Sequence, residues 1–222
     1  MLLAVDTSTA QCGLALLDDT QVIAESIWSS HQHHTMELAP ALAELLKRAG
    51  VKMSEVQSLA VAIGPGSFTS LRVGLAFVKG LALARHLPLI GISTLGILAA
   101  AQPVLKMPLA ATLQIGRGRI ALEWYKSGKG EWKSEGAAQI ATVESLAGSI
   151  DKPTLVAGEF GPEDRLRLMR KKVNVVMAPP SRCVRRPAVL AELAWARWQA
   201  GQVDEAASLA PIYLHSGEPI PV

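Results

Sequence analysis

The sequence predicts an α/β protein in which one order of elements, three strands followed by alternating helices and strands, is run through twice. Short apolar or alternating runs separated by turn residues recur at the head of each half, as in meandering strands. Stretches with apolar residues at helical spacing follow them. Gln102-Pro103 and the residues up to about 108 punctuate the chain between the halves.

In the first half, residues 1–6, 11–17 and 20–27 read as three strands, with Asp18-Asp19-Thr20 turning between the second and third. A helix is expected over about 35–49, where Leu38, Leu42, Leu45 and Leu46 share one face and Gly50 stops it. Pro40 is expected to bend this helix or delay its start. Residues 59–63 are wholly apolar, as in a strand covered on both faces. Residues 68–85 hold no proline and no stop signal and predict a long helix. Its apolar residues, Phe68, Leu71, Val73, Leu75, Phe77, Val78, Leu81 and Leu83, go almost all round, so its own core or another chain must cover every side. A strand at 89–92 and a short helix at 94–101 complete the order βββαβαβα.

In the second half, strands are expected at 109–115, 119–125 and about 138–142, then a short helix at 143–149. A strand at 154–157, a helix at 163–171 and a strand at 173–176 follow. Pro187 at its start and Gly201 past its end frame a last helix, with Leu190, Leu193, Ala194 and Trp198 on one face. Two βββαβαβα units in tandem predict a duplicated ribonuclease-H-like fold, the architecture of actin, hexokinase and Hsp70-type ATPases. The expected domains are residues 1–103 and 104–222, the extreme C-terminus being able to pack back on the first.

The 222 residues suffice for one large or two small domains. Half of them are hydrophobic, but no run reaches the roughly 18 residues that cross a bilayer. The first ten residues hold Asp6 and no basic flank, so no signal peptide, no membrane association and a cytoplasmic location are expected. Cys12 and Cys183 lack metal or redox spacing and read as reduced, buried small hydrophobes. Charge is uneven: residues 1–100 carry 6 basic and 7 acidic side chains, residues 101–222 carry 16 and 12.

The most distinctive stretch joins the 59–63 strand to the long helix: Gly64-Pro65-Gly66-Ser67-Phe68-Thr69-Ser70-Leu71-Arg72-Val73-Gly74. Gly64 and Gly66 flank Pro65 in a sharp turn. Ser67 or Thr69 is placed to cap the helix, whose first N–H groups would face an anion or a partner. This stretch resembles the GPGSFTGLR-type signature of the TsaB family, the small partner subunit in bacterial tRNA threonylcarbamoyladenosine synthesis. The opening Leu2-Leu3-Ala4-Val5-Asp6-Thr7-Ser8-Thr9 with Cys12-Gly13-Leu14-Ala15-Leu16 is similar to that family's first hairpin. His34-Thr35-Met36-Glu37-Leu38-Ala39-Pro40 resembles its first-helix motif, Pro88-Leu89-Ile90-Gly91-Ile92-Ser93-Thr94-Leu95 the strand after the long helix, and Pro211-Ile212-Tyr213-Leu214 a C-terminal landmark. Ser70 departs from the family's usual glycine, and His215 from its usual arginine.

In ATPases of the predicted fold, the first hairpin carries an acidic residue and a glycine turn that admits phosphate. Here Asp6, Thr7 and Ser8 stand in that place, but the turn, Thr7-Ser8-Thr9-Ala10-Gln11, has no glycine. They read as a vestigial nucleotide loop, Asp6 bonding the turn's own N–H groups. The best candidate for an adenosine loop, Val156-Ala157-Gly158-Glu159-Phe160-Gly161, separates its glycines with Glu159 and Phe160. His31, His33 and His34 crowd the start of the first helix with Glu37 close by, but the His-x-x-x-His spacing of the related TsaD subunit is missing, so no metal site is assigned. Ser67 is not in a Gly-x-Ser-x-Gly setting, and no catalytic residue is assigned.

The resemblance implies a noncatalytic scaffold, a pseudoenzyme without a cofactor of its own. Its expected partners are a TsaD-type subunit, which transfers a threonylcarbamoyl group to adenosine beside the anticodon of tRNA, and a TsaE-type ATPase. ATP and metal are expected in those subunits, tRNA is expected to be met through the complex, and the chain is expected to form a homodimer when alone. Met36, Leu38, Leu42 and Leu45 of the first helix, with Phe68, Leu71, Leu75 and Val78 of the second, are the candidate interface, and Arg72 is its rim charge. A basic cluster, Arg165, Arg167, Arg170, Lys171, Lys172, Arg182, Arg185 and Arg186, reads either as a solvated face or as an RNA contact centred on Arg170, Lys171 and Lys172. Trp195 and Trp198 fit core packing better than base stacking. Two other classes stand beside the scaffold: an ATP-dependent phosphotransferase of the same fold, and a metallopeptidase-like enzyme using the histidines.

Overall fold

The computed structural model describes residues 1–30, 33–171 and 173–214, with Lys171 described by its backbone alone. The chain forms two units. The first comprises residues 1–97 and 185–212; the second comprises 98–184 with Tyr213 and Leu214.

In the first unit, β1 (Leu2–Asp6), β2 (Gln11–Asp18) and β3 (Gln21–Ser29) make the expected antiparallel meander. β4 (Ser58–Ala62) and β5 (Leu89–Ile92) join in parallel, giving the order β3-β2-β1-β4-β5. Parallel neighbours need crossovers, and α1 (His34–Ala49) and α2 (Phe68–Arg85) supply them. Alternation along β1 divides the core. Leu3 and Val5 meet Leu38, Leu42 and Leu45 of α1 and Leu75, Val78 and Ala82 of α2 on one face. Leu2 and Ala4 face the other way, onto Ile97 of α3 (Thr94–Ala100) and onto α7 (Pro187–Gln199).

Read in sequence, α7 belongs to the second half; in the structure it covers the first sheet. The reason is a match of small side chains. Ala4, Ala15, Ala60 and Ala62 on the sheet face Ala188, Ala191 and Ala194 on the helix. A Cβ on Gly13 would lie 2.8 Å from Pro187 Cγ. Glu25 of β3 pairs with Arg186 and accepts the Ala188 N–H at 2.9 Å, holding the start of α7. Trp195 and Trp198, edge to face at 5.0 Å, pack against this core as their spacing implies. Beyond α7 the chain runs beside β5. Gly91 donates to Asp204 Oδ2 at 2.7 Å, Asp204 N–H to the Leu89 carbonyl at 2.8 Å, and Ile212 N–H to the Ile63 carbonyl at 2.7 Å. These bonds cover what would be an open sheet edge.

Pro40 neither delays α1 nor moves its start, which is at His34. Proline withholds a donor from the carbonyl four residues back, that of Met36, and both residues stand on the exposed side of the helix.

The second unit repeats the arrangement. β6 (Leu109–Gln114), β7 (Arg119–Gly128), β8 (Glu131–Ser134), β10 (Thr154–Gly158) and β11 (Val175–Met177) give the order β8-β7-β6-β10-β11, matching the first sheet strand for strand. The third strand of this meander is β8, which was not anticipated; the expected strand, β9 (Gln139–Thr142), pairs instead with the first part of β7. β7 runs on to Gly128, and Lys129 and Gly130, both at positive φ, close a two-residue hairpin. Glu-Trp-Lys-Ser is too polar to announce itself as a strand. α4 (Val143–Ser149), α5 (Pro162–Lys171) and the short α6 (Pro180–Cys183) complete the unit. Its core gathers Ala110, Ile120, Leu122, Leu146, Val156 and Leu168. The duplicated ribonuclease-H-like fold is therefore explicit in two sheets of one topology.

Candidate partner groove and a closed hairpin turn

The glycines of the Gly-Pro-Gly motif let two turns of the first unit lie against each other. A Cβ on Gly66 would stand 2.3 Å from the Ser8 carbonyl oxygen, and one on Gly64, at φ +109°, would stand 2.7 Å from the Ile212 carbonyl oxygen. Gly74, in the second turn of α2, approaches Thr7 as closely: its Cβ would lie 2.2 Å from Thr7 Oγ1. Hydrogen bonds tie the same elements. Thr7 Oγ1 donates to the Ser70 carbonyl at 2.7 Å, Ser67 N–H to the Ser8 carbonyl at 2.7 Å, and the Ser8 and Thr94 hydroxyls bond each other at 2.8 Å. Ser67 does occupy the N-cap position, but its hydroxyl accepts from Ser70 Oγ at 3.0 Å rather than from a backbone N–H. The motif thus grips its own chain.

Asp6, Thr7 and Ser8 are buried. Asp6 Oδ1 accepts the Ser8 N–H at 2.8 Å. Its other oxygen takes Arg185 Nε at 2.8 Å, in an ion pair whose side chains are 1% and 3% exposed. Arg185 Nη2 also donates to Thr9 Oγ1 and to the Gln11 carbonyl, each at 2.8 Å. In the sequence Arg185 falls within the basic cluster, and no local signal ties it to Asp6, 179 positions away. The residues present do not fit a bound nucleotide. Side chains fill the turn, and a guanidinium occupies the acidic end.

Between α1 and α2 lies an apolar groove of about 410 Å³. His34, Thr35 and Leu38 line one wall; Phe68, Arg72, Val73, Ala76 and Phe77 line the other. Phe68 is 52% exposed, and the Arg72 guanidinium carbon sits 3.7 Å from its ring centroid, a cation–π contact at the rim. Met36, between the groove-lining Thr35 and Leu38 in sequence, is 73% exposed on α1. The other expected interface residues are not available: Leu42, Leu45, Leu75 and Val78 are buried between helix and sheet, Leu71 is buried at 1% exposure, and Leu38 meets the groove while itself only 2% exposed. The all-round apolar character of α2 has a partner inside the unit for one face: α2 packs on β4, β1 and β5 as well as on α1, which buries Leu71, Leu75 and Val78 and leaves Phe68 and Leu83 exposed.

His34 is buried, with Nε2 3.1 Å from the Thr9 carbonyl oxygen and Nδ1 3.5 Å from Ser30 Oγ. Glu37 accepts Trp28 Nε1–H at 3.0 Å, and side-chain hydrogen bonds from Trp28 and Ser30 hold its carboxyl below the usual range. His31 lies outside the described residues. Among the described residues, no three His, Cys, Asp or Glu side chains are grouped to hold a metal ion. The basic cluster divides. Arg165 donates to the Ala178 carbonyl at 3.0 Å, Arg167 pairs with Glu144 at 2.9 Å, and Arg186 pairs with Glu25. Arg170 and Arg182 are exposed; Lys172, the side chain of Lys171 and His215 lie outside the described residues. Among the described residues, no helix is long and apolar enough to cross a membrane.

Residues 21–185 match a family model described as TsaD: tRNA N6-adenosine threonylcarbamoyltransferase. Among curated proteins, the tRNA threonylcarbamoyladenosine biosynthesis protein TsaB of Escherichia coli (strain K12) is 39% identical over 94 residues, 42% of this chain and 40% of that protein. TsaB of Bacillus subtilis (strain 168) is 33% identical over 129 residues, 57% and 56% of the two chains. The chain thus spans about half the length of these curated relatives. Among solved structures, YeaZ from Pseudomonas aeruginosa superposes with a TM-score of 0.79 at 30% identity, covering 96% of this chain and 99% of that one. The ethanolamine utilization protein EutJ from Carboxydothermus hydrogenoformans shares the fold alone, with a TM-score of 0.53 at 16% identity over 85% of this chain and 88% of that one.

Proposed function

Because this chain belongs to the TsaB (YeaZ) family, we propose that it takes part in tRNA threonylcarbamoyladenosine biosynthesis as a noncatalytic partner of a TsaD-type subunit. The observation that carries the docking role is the α1–α2 groove. It leaves Phe68 exposed under Arg72, with Met36 exposed on α1, while Leu42, Leu45, Leu75 and Val78 of the same helices are buried in the core. Covering two large apolar side chains is worth roughly 1.5–3 kcal/mol each, before the freedom lost on association is subtracted. The family model matched by this chain is that of TsaD, so the partner presents helices of like kind, and a paired-helix contact around the groove suits it. The noncatalytic role is supported by the glycine-free hairpin turn with Arg185 seated at Asp6. A TsaE-type ATPase joins the same assembly, which is also where tRNA is met. Nothing in the groove or the turn favours the phosphotransferase or metallopeptidase alternatives.

Reconstitution tests this reading. A TsaD-type subunit and a TsaE-type ATPase, given ATP, the threonylcarbamoyl adenylate donor and tRNA, are expected to modify adenosine only when this chain is added. The chain alone is expected to release no phosphate from Mg²⁺–ATP. Equal modification without it, or ATP turnover by the pure chain, contradicts the assignment.

A further inference from the structure

Three oxygens of the first hairpin converge on one side chain. Asp6 Oδ2, Thr9 Oγ1 and the Gln11 carbonyl each stand 2.8 Å from a nitrogen of Arg185. A fourth, Gln11 Oε1, accepts the Arg185 backbone N–H at 3.2 Å. One carboxylate, one hydroxyl and carbonyl groups are the ligands that hard divalent cations take. The guanidinium is thus where such an ion would sit, at the acidic end of the turn that admits phosphate in ATPases of this fold. The turn's own donors are committed elsewhere, the Ser8 N–H to Asp6 Oδ1 at 2.8 Å and the Gln11 N–H to Thr9 Oγ1 at 3.1 Å. We propose that Arg185 is a tethered cation that replaces a divalent ion at the β1–β2 turn and keeps metal-bound phosphate out of it. The proposal rests on the noncatalytic reading and supplies its physical cause.

Its neighbours hold Arg185 in place. Arg186 is clamped by Glu25, and Pro187 begins α7 against Gly13, so the guanidinium enters from a fixed point on the same unit. Burial makes the ion pair obligatory. A carboxylate as enclosed as that of Asp6 needs a countercharge, and removing one member of such a pair strands the other. Without the arginine, the same oxygens surround a space that a hydrated divalent cation can enter.

The test is a titration of Ca²⁺ and of Mg²⁺ into the full chain at constant ionic strength, read by calorimetry and by melting temperature. The unaltered chain is expected to ignore both ions at millimolar concentration. Arg185→Ala is expected to melt lower and to recover on the order of 5 °C with saturating Ca²⁺. The double variant Asp6→Asn with Arg185→Ala is expected to lose that response. Arg185→Lys, which restores a positive charge, is expected to fold and to stay insensitive. If Arg185→Ala is unfolded in plain buffer, Ca²⁺ is expected to restore the fold, and failure to do so overturns the proposal. A folded Arg185→Ala chain indifferent to both ions overturns the proposal alone. Micromolar binding of Mg²⁺–ATP by the unaltered chain overturns both the proposal and the noncatalytic reading.

Discussion

Cys12 sits on β2 with its thiol 1% exposed, near the Asp6 carboxylate. Burial above all, then the negative charges of Asp6 and Glu37, push the thiol up to about 12. A raised pKa leaves almost no thiolate at pH 8, and the thiolate is the form that reacts. The native chain should therefore resist alkylation by iodoacetamide at Cys12, and denaturant should restore the reaction; peptide mass spectrometry reads both. Rapid labelling of native Cys12 would contradict this environment. At the same scale, Asp6→Ala leaves the Arg185 guanidinium buried without its carboxylate, which costs about 3–5 kcal/mol, or roughly 2–4 °C of melting temperature for each kcal/mol in a chain of this size. A melt unchanged by this substitution would show that the pair carries no stability. The bond of Asp6 to its own turn was legible in the sequence, because an Asx residue and the N–H two residues on are local partners. Its pairing with Arg185 was not, since nothing local records a contact across 179 positions.

On α2 two glycines make opposite predictions. Gly74 lies under Thr7, and a Cβ there meets Thr7 Oγ1 at 2.2 Å; around Gly80 nothing lies within 4 Å. Gly80→Ala should stabilise by about 0.4–1 kcal/mol, since alanine loses less chain freedom in a helix. Gly74→Ala should destabilise by about 1–3 kcal/mol through overpacking. Equal melts for the two variants would mean that the β1–β2 turn does not rest on α2. The extent of α2 was readable from 68 to 85, and that of α1 nearly so, because long periodic segments with clear stops leave little ambiguity. Which faces of them are buried was not readable. Leu75 and Val78 look as available as Phe68 on the page, and only the sheet beneath decides between them. β8 was missed for the opposite reason: its pairing depends on the turn at Lys129 and Gly130, not on apolar alternation.

Across the whole molecule, the order of elements announced the duplication, and two sheets of matching topology bear it out. The place of α7 was hidden, because small residues on the sheet and the helix fit each other only in three dimensions. Charge is also a property at this scale. The positive excess lies in residues 101–222, and ion pairs within the chain already engage Arg167, Arg185 and Arg186. Replacing Arg170, Lys171 and Lys172 together by alanine should lower the salt slope of RNA binding by the assembled complex by roughly 2–3; an unchanged slope would assign these charges to a solvated face. Phe68→Glu probes the groove without opening the core, because Phe68 is half exposed at the first position of α2, where an acidic residue favours the helix. Sedimentation velocity of the unaltered chain and of this variant, each alone and mixed with a TsaD-type subunit, alongside thermal melts, tests the docking role of the groove most directly. The unaltered chain is expected to pair with itself when alone and with the TsaD-type subunit when mixed, and Phe68→Glu to melt like the unaltered chain yet sediment as a monomer in both. A folded variant that still joins the TsaD-type subunit at full affinity would contradict that role.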